Sequence, residues 1–383
     1  MEDEELLACI DSLLLEEARE CYLPLESKIR LKKELFDRFR RLGLLQELVD
    51  DKEVSEIMVN GAKDIFIERG GKASRWDKEF EDEGQLEDLI QKMVSRVNRI
   101  VNRSTPICDA RLEDGSRIHI VLPPIALNGP VLTIRKFPKV LSMKALIENE
   151  TLTQEAALFL KLLVQAGYNI FVSGGTGCGK TTFLNALSEF IPPNSRVITI
   201  EDAAELQIRQ VENLVRMETR NQNMEGEGEI SMGQLIKAAL RMNPDRIIVG
   251  EVRGKEAMDM LAAMNTGHDG SLSTGHANGP ADMLRRLESM VLMGADLPLA
   301  AIRSQIASAV DVLVHIGRLR DKSRRVLSIM EVMGIEEGEI QLSPLFAFRE
   351  TGKAKKGEKV EGSLFQVGEL CHREKLHAAG DLL

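Results

Sequence analysis

Residues Gly174-Gly175-Thr176-Gly177-Cys178-Gly179-Lys180-Thr181 fit the spacing G-x-x-x-x-G-K-[ST]. Glycines at these intervals let a chain curl until its backbone N–H groups converge on anionic oxygens. A lysine and a hydroxyl at the end of the curl add a cation and a metal ligand. The chemistry is therefore polyphosphate binding, with Lys180 on the β- and γ-phosphates, Thr181 on Mg²⁺ and Thr182 beside the α-phosphate. Cys178 reads as a small residue tolerated inside the loop, with oxidation a minor second reading.

Three further groups could act on such a ligand. The run Arg246-Ile247-Ile248-Val249-Gly250-Glu251 is an apolar strand ending in a carboxylate. An aspartate is usual at such a strand end. Gly250 stands there instead, so Glu251 is the candidate base or water-positioning group, and a candidate for the metal's shell. The run Ile198-Thr199-Ile200-Glu201-Asp202 also ends in acids. Glu201 and Asp202 alternate across the strand, and Glu201 is the one assigned to the metal's water shell. Glu205 reads as surface. His268 and His276 lie eight apart in Gly267–Asn278, without the further Cys or His ligands a zinc site needs. Two readings of His276 stand: a hydrogen-bond donor to a γ-phosphate, or a satisfied structural histidine.

These groups need a scaffold. Residues 169–173 form a buried-strand pattern before the loop, and a helix over 180–190 follows it. Helix and strand patterns then alternate: strand 196–201, helix 231–241, strand 246–250, helix 254–265, strand 270–274, helices 281–293 and 298–309. That alternation predicts an α/β fold with a mostly parallel sheet covered by helices. It occupies 153–350, starting with a helix over 153–166 and ending in two strand-like runs, DVLVHIGRL and RVLSIMEVMGI. Upstream, residues 1–45 show helical spacing and form a prefix. Residues 46–137 read as an α+β domain, with a hairpin across Asn60-Gly61 and a helix in LEDLIQKMVSRVNRIV. Residues 138–152 read as a linker or connecting helix, and 351–383 as a polar tail, with Gly352–Lys359 a solvated loop.

The chain has 383 residues, 43% hydrophobic and 29% charged, enough for packed cores. Its net charge of −10 and 4% aromatic content argue against a nucleic-acid coat or a stacking platform for single strands. Five scattered cysteines with no C-x-x-C pair read as a reduced intracellular protein. The acidic start MEDEELLACID is unlike a signal peptide, and no run of 18 uncharged apolar residues occurs, so no transmembrane span is expected.

In this order, the phosphate loop, the acidic run Thr199–Glu205, the strand Ile247–Glu251 and the histidine segment Gly267–Asn278 resemble the hexameric ATPases of type II and type IV secretion systems and type IV pili. The string Leu240–Asn278 is similar to the CpaF/TadA subgroup, the motor ATPases of Tad (Flp-type) pilus assembly. VSEIMVNG, DARLEDGSRIHIVLPP, LTIRKF and LFAFRETG agree with it. The resemblance implies a homohexamer of two-domain subunits, a PAS-like α+β domain followed by a RecA-like ATPase domain, with ATP and Mg²⁺ bound between them. It implies that Arg117 and Arg135 reach phosphates. From the sequence alone each is a strand-surface arginine. It also gives Arg241 and Arg253 as weaker candidates for contacts between subunits, and ATP rather than GTP as the nucleotide. The implied work is pilus assembly or protein secretion at the inner face of the cytoplasmic membrane, through an inner-membrane platform protein and, indirectly, pilin. A conjugation-type secretion motor is the nearest alternative, and a nucleic-acid translocase a more distant one.

Overall fold

The computed structural model describes residues 2–97, 99–112, 114–137, 141–220, 228–352 and 359–380. The chain divides into two compact units, Met1–Pro138 and Lys139–Leu383.

In the first unit, helices α1 (Asp3–Glu20) and α2 (Leu25–Arg40) pack through Leu6, Ile10 and Leu14 against Leu31 and Leu35. These are the three- and four-residue spacings of one helix face. After α3 (Gln46–Asp50) come β1 (Val54–Asn60), β2 (Ile65–Arg69), β3 (Lys72–Arg75), α4 (Glu83–Arg96), β4 (Ile107–Arg111), β5 (Arg117–Val121) and β6 (Val131–Arg135). The strands form one antiparallel sheet in the order β3-β2-β1-β6-β5-β4. Helix α4 contributes Leu86, Ile90 and Met93 to a core shared with Ile57, Val59, Ile118 and Ile120. The turn after Asn60 needs Gly61, whose φ is +80°.

The second unit begins with α5 (Met143–Glu148) and α6 (Gln154–Gln165). It continues through β7 (Ile170–Gly174), α7 (Lys180–Ser188), β8 (Val197–Glu201), β9 (Leu214–Glu218), α8 (Met232–Ala239), β10 (Arg246–Val249), α9 (Ala257–Met264), β11 (Leu272–His276), α10 (Pro280–Leu292) and α11 (Leu299–Ala309). It closes with β12 (Val312–Arg318), β13 (Arg324–Glu336), β14 (Glu339–Glu350), β15 (Gly362–Gln366) and α12 (Glu374–Ala378). The sheet order is β15-β14-β13-β12-β7-β11-β10-β8-β9. Strands β12 to β9 run parallel, and β13 to β15 extend the sheet antiparallel. Alternate residues feed two cores. Ile170, Val172, Val314 and Ile316 pack with α6 and α7, while Phe171, Ile247, Val249 and Leu313 pack with α8 to α11. Both faces are covered, which is why these strands read as continuous apolar runs.

Two stretches carry more structure than their composition suggests. In the described part of 138–152 the connecting helix, one of the two expected readings, is present as α5: Ser142 caps it, and Met143 and Leu146 are buried in the core. The described part of 351–383, expected as a polar tail, is built into the second unit. Strand β15 pairs with β14, and Leu364, Leu370 and Leu376 are buried. The carboxylate of buried Glu331 accepts the N–H groups of Cys371 and His372 at 2.8 and 2.7 Å. An edge strand buries only part of its length, so the polar composition concealed it. Residues 353–358 of the expected solvated loop, and 138–140 of the expected linker, lie outside the described residues. Among the described residues, no helix is long and apolar enough to cross a membrane.

Candidate functional site

Strand β7 is the hinge of the site. It ends at Gly174 with β11 on one side and β12 on the other. A Cβ at Gly174 would lie 2.4 Å from the Ile316 carbonyl oxygen and 2.5 Å from Cys178 Sγ, so only glycine fits. Gly177 and Gly179 hold φ of +70° and +98°, the left-handed region. The chain thus curls over Gly175–Gly179 and enters α7 at Lys180, with Thr181 and Thr182 half-buried in the first turn. Gly179 at the N-cap has no side chain to occupy the first N–H groups of α7. They and the helix dipole are available to an anion. Burial pushes the Cys178 thiol above its ordinary range, which keeps it protonated and unreactive.

Lys180 is buried, and its ammonium is the centre of a charged cluster. Nζ lies 3.3 Å from the Gly175 carbonyl oxygen, 3.3 Å from His276 Nδ1 and 4.0 Å from Glu251 Oε1. His276 Nε2 is 2.5 Å from the same Glu251 oxygen. The other oxygen of Glu251 accepts from Arg253 Nη2 at 2.6 Å and Nε at 3.0 Å. Arg253 Nη1 is 3.3 Å from Asp202 Oδ2. Burial lowers the pKa of Lys180 and also that of His276, against the pull of Glu251 on the latter. The topology explains the meeting. Strand β11 lies between β7 and β10, so the residue ending β11, His276, lies between the loop lysine and the carboxylate that follows β10. Thr274 Oγ1 donates to the Gly250 carbonyl at 2.7 Å and fixes that carboxylate's backbone.

Glu201 occupies a separate niche beneath this cluster. It is 3% exposed, and Oε2 accepts the N–H groups of Glu205 and Leu206 at 2.7 and 2.9 Å. Oε1 is buried with no hydrogen-bond partner among the described residues. A Cβ at Gly250 would be 2.9 Å from Glu201 Cγ, which explains why no aspartate stands at that strand end. Burial raises the Glu201 pKa to about 7, with its two backbone donors opposing the shift. A carboxyl whose pKa rises on folding holds its proton more tightly in the native state. Stability therefore falls as pH rises from the unfolded value of 4.5 through 7. The contribution is on the order of 3 kcal/mol. Glu201→Gln is expected to flatten this pH dependence between pH 5 and 8, as read from urea midpoints.

The other expected residues are placed as follows. Arg117 and Arg135 stand directly opposite each other on β5 and β6, and Arg111 on β4 stands opposite Arg117. Three arginines thus form one row across the first unit's sheet. On its other side Arg135 stands opposite Glu56 on β1, so the row carries a counter-charge of its own. Arg111 was not singled out from the sequence, because only strand register shows the row. Arg241 is, with Arg253, the other candidate for contacts between subunits. It is exposed in the turn before β10, at the end of the strand opposite Glu251, and does not join the cluster. Asp202 and Glu256 were also missed. Asp202 pairs with Arg253, and Glu256 Oε1 accepts the N–H groups of Arg253 and Gly254 at 2.7 and 2.8 Å. Beyond His276, α10 borders an open cleft of about 550 Å³ with Gly175, Thr176, Asn278 and Arg286 on its walls.

A divalent ion would find no cage of its own here. Among the described residues, no group of three or more His, Cys, Asp or Glu side chains could hold a metal. Thr181 on the first turn of α7 fits Mg²⁺ that arrives on a polyphosphate, the usual manner for that ion.

Comparison with known proteins finds relatives over most of the chain. Residues 40–361 match the family model for type II/IV secretion system proteins. A Mycobacterium tuberculosis protein provisionally assigned to conjugal transfer is 37% identical over 306 residues, covering 78% of this chain and 86% of that protein. The conjugal transfer protein TrbB of Rhizobium radiobacter is 33% identical over 298 residues, covering 76% and 88%. The crystal structure of the ATPase DotB from Legionella pneumophila shares the fold, with a TM-score of 0.53 at 20% identity, covering 75% of this chain and 79% of that one.

Proposed function

The chain belongs to the type II/IV secretion system protein family and is a P-loop ATP hydrolase, and from that premise we propose that it is the motor of a conjugation-type (type IV) transfer apparatus. The observation that carries the hydrolytic part is the Lys180–Glu251–His276 contact set at the end of β7. A triphosphate seated in the loop competes with Glu251 for Lys180. The released Glu251 carboxylate then orients a water and accepts its proton as the water oxygen bonds to the γ-phosphorus and the β–γ bridging bond breaks. His276 and Arg253 face the developing charge. Thr181 would hold Mg²⁺, Glu251 and Glu201 are the candidate carboxylates for its water shell, and the ion would supply charge neutralisation. The arginines of the first unit, Arg117 and Arg135, are assigned to phosphate oxygens because guanidinium groups fork onto them.

The transfer part is supported by relatives named for conjugal transfer that span most of this chain's length. We take the working form to be a homohexamer with a PAS-like first domain, acting at the inner face of the cytoplasmic membrane through platform proteins. A second reading, Tad pilus assembly, is favoured by the string Leu240–Asn278. The test is a host strain whose copy carries Lys180→Ala. Loss of conjugative transfer or secretion with surface pilin unchanged supports the transfer motor. Loss of surface pilin with transfer intact supports the second reading.

A further inference from the structure

Strands β12 and β13 continue past the end of β7. Ile316 is in register with Gly174 on one side and with Val326 on the other. Two residues further on, Arg318 and Arg324 stand directly opposite each other. By alternation they face the same side as Ile316 and Val326, which pack in the core with α7. Both arginines are exposed. The Arg324 side chain reaches the loop: its Cδ lies 3.5 Å from where a Gly179 Cβ would be. Neither guanidinium has a hydrogen-bond or ion-pair partner among the described residues. Their neighbours do. Arg320 makes a two-pronged pair with Glu350 at 2.7 Å on each prong, and Arg325 pairs with Glu150 at 2.7 Å. Asp321 accepts from the backbone and hydroxyl of Ser323 and from the Val360 N–H. The hairpin is therefore braced around two like charges left facing each other, an arrangement that disfavours the ladder unless an anion lies between or above them.

The sheet order gives that anion a direction. Glu251 and His276 lie on the β11–β10 side of the loop, and the arginine pair lies on the β12–β13 side. A nucleotide whose γ-phosphate is at Glu251 must run its other end toward β12. We propose that Arg318 and Arg324 bind the α-phosphate and nucleoside end of the nucleotide. This rests on the ATPase reading of the loop and adds the element that holds the end away from the chemistry. Both ATP and ADP carry that end, so the pair secures either one and does not distinguish them.

The test is calorimetric binding of Mg-ADP and of a non-hydrolysable Mg-ATP analogue to the full chain and to Arg324→Gln, Arg318→Gln/Arg324→Gln, Arg324→Lys and Lys180→Ala, with melting curves of each. A charged hydrogen bond lost from each arginine corresponds to about 10- to 100-fold in affinity. The double variant is expected to weaken both nucleotides by at least about tenfold and by the same factor, with Arg324→Lys partly restoring it. Its ligand-free melting temperature is expected to be equal or higher, because a repulsion is removed, while the rise in melting temperature on adding ADP shrinks. A merely structural role would lower the ligand-free value. Affinity within twofold of the parent in the double variant, beside a loss in Lys180→Ala, overturns the proposal and leaves the ATPase reading standing. Failure of the parent itself to bind either nucleotide overturns both.

Discussion

Replacing Lys180 with alanine is expected to abolish measurable ATP turnover and to weaken Mg-ATP binding by about 10²- to 10⁴-fold. The magnitude follows from two charge-assisted contacts to phosphate oxygens, each worth roughly 1.5–3 kcal/mol. The ammonium is buried and already desolvated, so its attraction for phosphate is screened less than that of a surface lysine. Its carbonyl contact at Gly175 aims it across the curl of the loop rather than into solvent. Removing it also removes a cation that depresses the His276 pKa, so the histidine should titrate higher in the variant. Calorimetry with a non-hydrolysable analogue and an NMR titration of the His276 ring check the two effects separately. Binding within threefold of the parent would show that the loop does not hold the phosphates.

Glu251→Gln is expected to separate binding from chemistry. Turnover falls by about 10²- to 10⁴-fold, the usual contribution of a positioned general base. ATP binding is retained or strengthened. The physical reason lies in the contacts of the carboxylate. Its two oxygens engage Lys180 and His276 on one side and Arg253 on the other. A neutral amide keeps the shape but competes less well with phosphate for the two cations. The variant should therefore retain ATP through gel filtration while the parent releases ADP. The opposite pattern, weaker binding with turnover nearly intact, would reassign Glu251 to a structural ion pair.

Much of this was legible from residue spacing. The glycine curl, the lysine and the flanking strand and helix are one local motif, and local motifs survive translation into sequence. Glu251 was found because an apolar strand ended in an acid. The alternation argument set Glu201 and Asp202 on opposite faces, and the structure shows the consequence: Glu201 faces inward beneath Gly250, and Asp202 meets Arg253. What stayed hidden depends on register and strand order. Nothing in the sequence says that β11 lies between β7 and β10, and that position brings His276 within 2.5 Å of Glu251. The rows Arg111–Arg117–Arg135 and Arg318–Arg324 exist only once strands are paired. The C-terminal residues looked solvated because β15 and α12 attach through a few buried side chains and the carboxylate of Glu331, far away in sequence.

The central claim is that the cluster at the end of β7 hydrolyses ATP. It is tested most directly by steady-state phosphate release from the purified chain with Mg-ATP, measured beside Glu251→Gln with bound nucleotide quantified on the same samples. The expected result is turnover in the parent, loss of at least about a hundredfold in the variant, and intact ATP recovered from the variant's site. Equal phosphate release from both proteins, or none from a parent that binds ATP with its platform partner supplied, would contradict it.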